Sequence, residues 1–168
     1  MPVVWSAVGA VVFPNVGGWL GGLITVRNIK PWYESLVLPK WRPPNSAFGP
    51  VWTVLYSSMG YASYLVWRDG GGFDGPARLP LILYGTQLIL NWAWTPIFFG
   101  AHNLALSLAD IGLLWINVAA CGYSFYHINH TAGLIMLPYL AWLTLASALN
   151  YCVYRDNSTK IKEVKKDE

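Results

Sequence analysis

Charge is scarce in this chain. Only 11% of its 168 residues are Asp, Glu, Lys or Arg, where a soluble domain carries about 25%. With 55% hydrophobic residues, that shortage excludes an ordinary water-soluble globule. Cysteine is nearly missing. Cys121 and Cys152 are the two, each inside an apolar run, which excludes a disulfide framework and a cysteine-built metal centre. No phosphate-cradling glycine loop, no G-x-G-x-x-G, no nucleophile elbow and no paired catalytic carboxylates occur. No conventional enzyme, no cofactor and no catalytic residue are therefore expected. The basic residues hug the edges of apolar runs instead of forming a basic patch with aromatics, so nucleic acid is not an expected partner. No positively charged n-region with a small-residue cleavage site opens the chain. The first apolar run is read as a retained helix.

What is abundant is apolar length and aromatic rings. There are ten tryptophans and ten tyrosines. Crossing the hydrocarbon core as a helix takes roughly 20 residues, and five apolar segments reach that length. They run over about 3–26, 47–67, 79–99, 104–126 and 131–154. Backbone groups in lipid need internal partners, so runs of this kind are read as helices and not as strands. The expected fold class is all-α: a polytopic membrane protein, a bundle of five transmembrane helices. Residues 1–155 form the transmembrane domain, with a long loop at 27–46. Residues 156–168 form a polar tail expected to fray. Pro31, Pro39, Pro43 and Pro44 keep the long loop out of extended helix, apart from a short turn near Tyr33. Asn45 or Ser46 is expected to cap the second helix.

Five spans put the loop at 27–46 and the C-terminus on one side. That side holds nine basic residues: Arg27, Lys30, Lys40, Arg42, Arg155, Lys160, Lys162, Lys165 and Lys166. The other side holds two, Arg68 and Arg78. Positive charge stays in the cytosol, so the long loop and the C-terminus are expected there. The sequons at Asn129 and Asn157 are expected to be unused, one being too near the bilayer and the other cytosolic.

Several residues invite a functional reading beside a plain one. Gly17, Gly18, Gly21 and Gly22 form small-xxx-small pairs in the first helix, fitting a dimer face, a ligand groove or simple close packing. Pro14 should kink that helix. Asp110 is the one acidic residue inside a span, which makes it a site candidate by cost alone, with helix capping as the alternative. His127 and His130 are a weak pair, better read as exposed loop residues, and no metal is expected. Trp5, Trp32, Trp41 and Trp67 fit an interfacial belt. Trp52, Trp92, Trp94 and Trp142 lie deeper, where an indole N–H needs an acceptor that lipid lacks. Asn91 and Asn150 share that need. Asn91 and Trp94 are three apart and share a helical face. Both are expected to look into the bundle, with Trp92 against a neighbouring helix. Leu149, Tyr151 and Arg155 match a permissive sterol-contact pattern, alongside the reading of an interfacial Tyr and a snorkelling Arg.

The motifs WRPPNSAFGPVWTVLYSSMGYASYLVW, LNWAWTPIFFG and PYLAWLTLASALNYCVYRDN resemble the translocator protein family, also called tryptophan-rich sensory proteins or peripheral benzodiazepine receptors. The match runs in order over nearly the whole chain and resembles eukaryotic, mitochondrial members. It implies a five-helix bundle, often a homodimer, in the mitochondrial outer membrane, multi-pass with a cytosolic C-terminus. It implies lipid-bilayer residence and binding and transport of cholesterol and of protoporphyrin or haem, linked to steroid synthesis, while the first-helix glycines leave open a structural role against other mitochondrial outer-membrane proteins. Binding of benzodiazepine-type drugs is implied too. A porphyrin-degrading or stress-sensing activity is the alternative. Trp52, Trp94, Trp142, Ala146 and Leu149 match the family's pocket lining, with Asn91 and Asp110 as polar candidates. Leu149, Tyr151 and Arg155 match its cholesterol motif. Leu106 departs from the tryptophan of mammalian members. Thr95 replaces the first proline of a Pro-Pro pair. Gly85 lacks the small residue that would complete a G-x-x-x-G pair.

Overall fold

The computed structural model describes residues 4–164, with side chains described to residue 158. Val3 and the cationic side chains beyond Arg155 lie outside that range. Five helices account for most of the chain. They are α1 (Trp5–Ile29), α2 (Asn45–Asp69), α3 (Arg78–Thr95), α4 (Leu104–Ile128) and α5 (His130–Val164). No strand occurs among the described residues. The protein is an all-α membrane bundle.

Three helices are long and apolar enough to cross a membrane by composition alone: α1, α4 and the His130–Ser158 part of α5. The other two carry more polar residues, some of them buried inside the bundle, such as Ser63 of α2 and Gln87 and Asn91 of α3. In α2, Leu55, Tyr56, Met59, Gly60, Ala62, Ser63, Leu65 and Val66 are buried. In α1, only Pro14 and Asn15 are. Lipid-facing α1 can be oily all round, whereas α2 must satisfy polar groups inside the bundle.

Helix α1 passes Pro14 without breaking. Proline has no N–H to offer the carbonyl four residues back, which is that of Ala10. This carbonyl packs onto Gly60 of α2, where any Cβ would overlap it. The crossing of α1 and α2 is thus set by one glycine absent from the small-xxx-small pattern. Asn15 donates from Nδ2 to the Val11 carbonyl at 2.9 Å and to Ser57 Oγ at 3.2 Å, tying the helices one turn further along. The hairpin of α4 and α5 is equally close. Gly133 lies against the Tyr126 backbone, again with no room for a methyl group.

The expected cap of α2 is not made. Pro44 takes the N-cap position without a side-chain bond, and Asn45 Oδ1 accepts instead from Arg42 Nη1 at 2.8 Å. The guanidinium outcompetes the helix N–H groups as the donor to this amide oxygen, a charge-assisted bond being the stronger. Helix α4 is capped conventionally, Asn103 Oδ1 accepting from the Leu106 N–H at 3.0 Å.

The tail differs from its expectation. Helix α5 continues past Arg155 to Val164. Polarity suggested fraying, but Asn157 is only 4% exposed. Its Oδ1 accepts from the Val37 N–H at 2.9 Å, and its Nδ2 donates to the Val37 carbonyl at 3.1 Å. One amide thereby pairs both backbone groups of a residue in the long loop. The anchored loop keeps the helix ordered beyond the span, and it occupies the Asn157 sequon.

At the opposite end, the turn after α2 uses Gly71 and Gly72 at φ 72° and 66°, a left-handed backbone that glycine adopts without strain. There Asn129, between α4 and α5, donates to Asp69 Oδ2 at 2.6 Å and caps the Ala132 N–H at 2.9 Å. Both roles tie up the Asn129 sequon. The Arg68 guanidinium and the Asn129 amide hold the Asp69 carboxyl below its usual range. A lowered folded pKa stabilises above the unfolded value near 4 and is lost as pH falls through the folded one. Amide exchange in the α4–α5 turn should therefore accelerate below about pH 4, and Asp69→Asn should abolish that acid step.

Candidate functional site

A cavity of about 670 Å³ runs from the long loop to the level of Asn91. Its walls come from α1, α2, α3 and α5, with a smaller share from α4. Glycines make room on the α1 side. Gly17 lies under the Trp92 indole, Gly18 under the Tyr56 ring, and Gly21 beside Thr95, each where a Cβ would crowd its neighbour. Gly22 meets open space. The glycine cluster therefore shapes the cavity wall by letting side chains of α2 and α3 lie on the α1 backbone.

The aromatic wall is held from behind. Trp94 stacks on Phe98 at 4.7 Å between centroids and donates from Nε1 to Asn150 Oδ1 at 2.9 Å. Trp52 leans on Tyr56 at 5.3 Å and meets Tyr139 edge-on at 6.1 Å. Asn91 sits at the blind end. Its Oδ1 accepts a short bond from the Tyr56 hydroxyl, and its Nδ2 donates to the Tyr139 hydroxyl at 2.7 Å. Tyr139 donates onward to Gln87 Oε1 at 2.9 Å. Tyr56, Asn91, Tyr139 and Gln87 thus satisfy one another across α2, α3 and α5, whereas the indole N–H groups of Trp92 and Trp142 are buried without an acceptor.

Over the loop end lies a lid. Tyr33 packs against Phe98 and Phe99, and burial pushes its phenol pKa up against the opposing pull of Arg42. Trp32 stacks on His102 at 4.0 Å, and His102 Nε2 lies 3.2 Å from Asn28 Oδ1. The residues under the lid come from a widened π turn, Pro96–Gly100, which follows α3. Proline at its start lacks the N–H that a tight turn would use. The wider turn carries Phe98 and Phe99 inward, where both are buried. His102, left-handed at φ 53°, then joins this turn to α4.

Trp52, Asn91, Trp94, Ala146 and Leu149 all line the cavity, and Trp92 joins them. Trp142 and Asp110 are outside its wall. Trp142 turns its ring to Phe48, edge-on at 5.6 Å. Asp110 is buried on α4 with one carboxylate oxygen unpartnered. Leu149 points inward while Tyr151 is 52% exposed. Arg155 lies 6.0 Å over the Tyr151 ring and pairs with Asp156 at 2.7 Å, so the three motif residues do not share one face. The sequence does not single out Asn15, Tyr56, Phe98 or Phe99, and it reads the lid residue Trp32 as part of an interfacial belt. Only Asn15, a lone amide after a helix proline, carried a readable signal.

No Lys, Arg, His, Asp or Glu is among the cavity's lining residues. Among the described residues no cluster of three metal-ligating side chains occurs. The arrangement is an aromatic slot without a charged side chain, its Asn91 amide already engaged, under a loop latched by Asn157.

Residues 10–155 match the TspO/MBR family. This chain belongs to that family. It is 46% identical to the translocator protein of Homo sapiens over 151 residues, covering 90% of this chain and 89% of the relative. Identity to the Sus scrofa translocator protein is 44% over the same shares. A more distant relative, the tryptophan-rich protein TspO of Archaeoglobus fulgidus, is 38% identical over 84% of this chain and 90% of its own length.

Proposed function

We propose that this protein takes a flat, neutral, apolar ligand, a sterol such as cholesterol, into the aromatic cavity and carries it within the mitochondrial outer membrane. The supporting observation is the wall itself: about 670 Å³ enclosed largely by aromatic and aliphatic surface, without one Lys, Arg, His, Asp or Glu side chain. Ligand cavities generally span ~300–1,000 Å³, and rings stack well on Trp52 and Trp94. The relatives' name, translocator, fits a carrier and not a catalyst. In this reading the long loop and the C-terminus face the cytosol, following the basic-residue count. Tyr151 and Arg155 meet sterol from the lipid side, Leu149 from within.

Protoporphyrin and haem rank second on the same observation. Their two propionates would enter a site without a cation, and burying an unpaired carboxylate is costly. Neutral drug-like aromatics meet no such barrier. That neutrality also weighs against porphyrin breakdown inside the cavity.

Titration of the purified protein in vesicles with a fluorescent sterol tests the reading. Trp52→Leu should weaken sterol binding roughly tenfold, a loss of about 1.4 kcal/mol. Protoporphyrin dimethyl ester, which is neutral, should bind at least ~10-fold more tightly than the free acid. Equal sterol affinity in Trp52→Leu would remove the cavity as the site. Tighter binding of the free acid would overturn its neutral selectivity.

A further inference from the structure

We infer that ligand passes between bilayer and cavity sideways, through the gap between α1 and α2, and not through the loop lid. The inference rests on the sterol-binding reading above and adds the route.

The two helices are jammed at one end. The Ala10 carbonyl sits on Gly60 with no space for a Cβ, and Asn15 bonds Ser57 one turn along. Next in the same antiparallel register, Gly18 lies under the Tyr56 ring. One turn past Gly18, Gly22 reaches the first turns of α2, the part that holds Gly49. Both glycines line the cavity, and a Cβ added to either would meet nothing within 4 Å. Contact between the helices has given way to open space.

The rim of that space is lipid-exposed. Trp19, Leu23 and Val26 line the cavity and are also 61%, 62% and 74% exposed. A residue that faces both the interior and the surroundings marks an opening. This one is apolar, so a ligand dissolved in the acyl chains crosses it without shedding polar contacts.

The loop end is closed by comparison. Tyr33 packs on Phe98 and Phe99, Trp32 stacks on His102, and Asn157 holds both backbone groups of Val37. Leaving that way would break the Asn157–Val37 hydrogen bonds and the aromatic contacts, then release an apolar ligand into water. The side gap requires neither. Glycine at 22 and 49 is what keeps it wide, so these two residues set the rate of passage.

The experiment uses the full chain in phosphatidylcholine vesicles, with dehydroergosterol as probe and energy transfer from the protein's tryptophans as signal. Stopped-flow mixing gives association and dissociation rates for the parent, Gly22→Leu, Gly22→Leu with Gly49→Leu, and Asn157→Ala. Leucine at these positions points into open space, and a melting curve checks each variant's fold. The double leucine variant should slow association and dissociation together, about tenfold each, because a narrowed path changes a barrier and not an equilibrium. Gly22→Leu alone should fall between. Asn157→Ala should keep parental rates. Parental rates in the double variant would overturn the inference, as would faster exchange in Asn157→Ala. A higher Kd from slower association alone would also overturn it, since the leucines would then occupy the site and not the path. No energy transfer in the parent would instead overturn the sterol reading, and the route with it.

Discussion

Gly60→Leu should destabilise the bundle more than any other single glycine replacement in α1 or α2. The Ala10 carbonyl and the Val11 Cα both lie where the new Cβ would go. These are backbone atoms of a packed helix and cannot swing aside as a flexible side chain can. Overpacking a well-packed core typically costs roughly 1–3 kcal/mol, occasionally more, and a clash with backbone puts this site at the upper end, ~3 kcal/mol. The helices would have to separate, pulling Asn15 from Ser57 and uncovering the Ala10 carbonyl that Pro14 leaves without a helical donor. An unpartnered carbonyl in hydrocarbon adds its own penalty. Thermal denaturation in detergent micelles checks this. The expected result is a large drop in melting temperature or loss of monodisperse protein. Gly9→Leu is the control, since that position meets nothing within 4 Å. If Gly60→Leu melts with the parent, the close crossing does not govern the packing of α1.

This crossing shows where sequence reading stops. The five helices are legible because lipid forbids most alternatives, and long neutral runs can only be helices there. Which glycine carries a crossing is not legible. Gly17, Gly18, Gly21 and Gly22 stand out by spacing, yet they accept side chains or line open space. Gly60 stands out by nothing until α1 is laid across it. Likewise, spacing put Asn91 and Trp94 on one face, and both line the cavity. Trp92 lines it as well, because missing side chains on α1 let the indole lie flat against that helix. Trp142 packs on the core as its depth suggested, but it is outside the cavity wall because its ring meets Phe48 of α2 edge-on, a contact no periodicity records. The ordered start of the tail was hidden for a related reason. Asn157 reads as a polar residue in a polar segment, and only the loop at Val37, 120 residues away, turns it into a buried latch.

Tyr139→Phe is the second large effect, and it separates the stability of the cavity from its affinity. The Tyr139 hydroxyl accepts from Asn91 and donates to Gln87, and the residue is 1% exposed. Its removal strands the Gln87 oxygen and one Asn91 N–H. Each buried orphan costs about 1–3 kcal/mol, although hydrogen bonds inside membrane proteins measure lower, near 0.6 kcal/mol on average. A loss of about 2 kcal/mol is expected. Asn91→Leu should cost a similar amount, because it strands the Tyr56 hydroxyl and deprives Tyr139 of its donor. The double variant should cost less than the two singles added, by about 1 kcal/mol, since the bond between the two residues can be lost only once. Strict additivity would mean that the chain of bonds is not coupled. Sterol affinity should change far less than stability, because the phenyl ring left by the substitution keeps the edge contact with Trp52 and no ligand-facing surface is lost. A fall in affinity matching the fall in stability would show instead that the network positions the Trp52 face, through the ring of Tyr56 on which it leans.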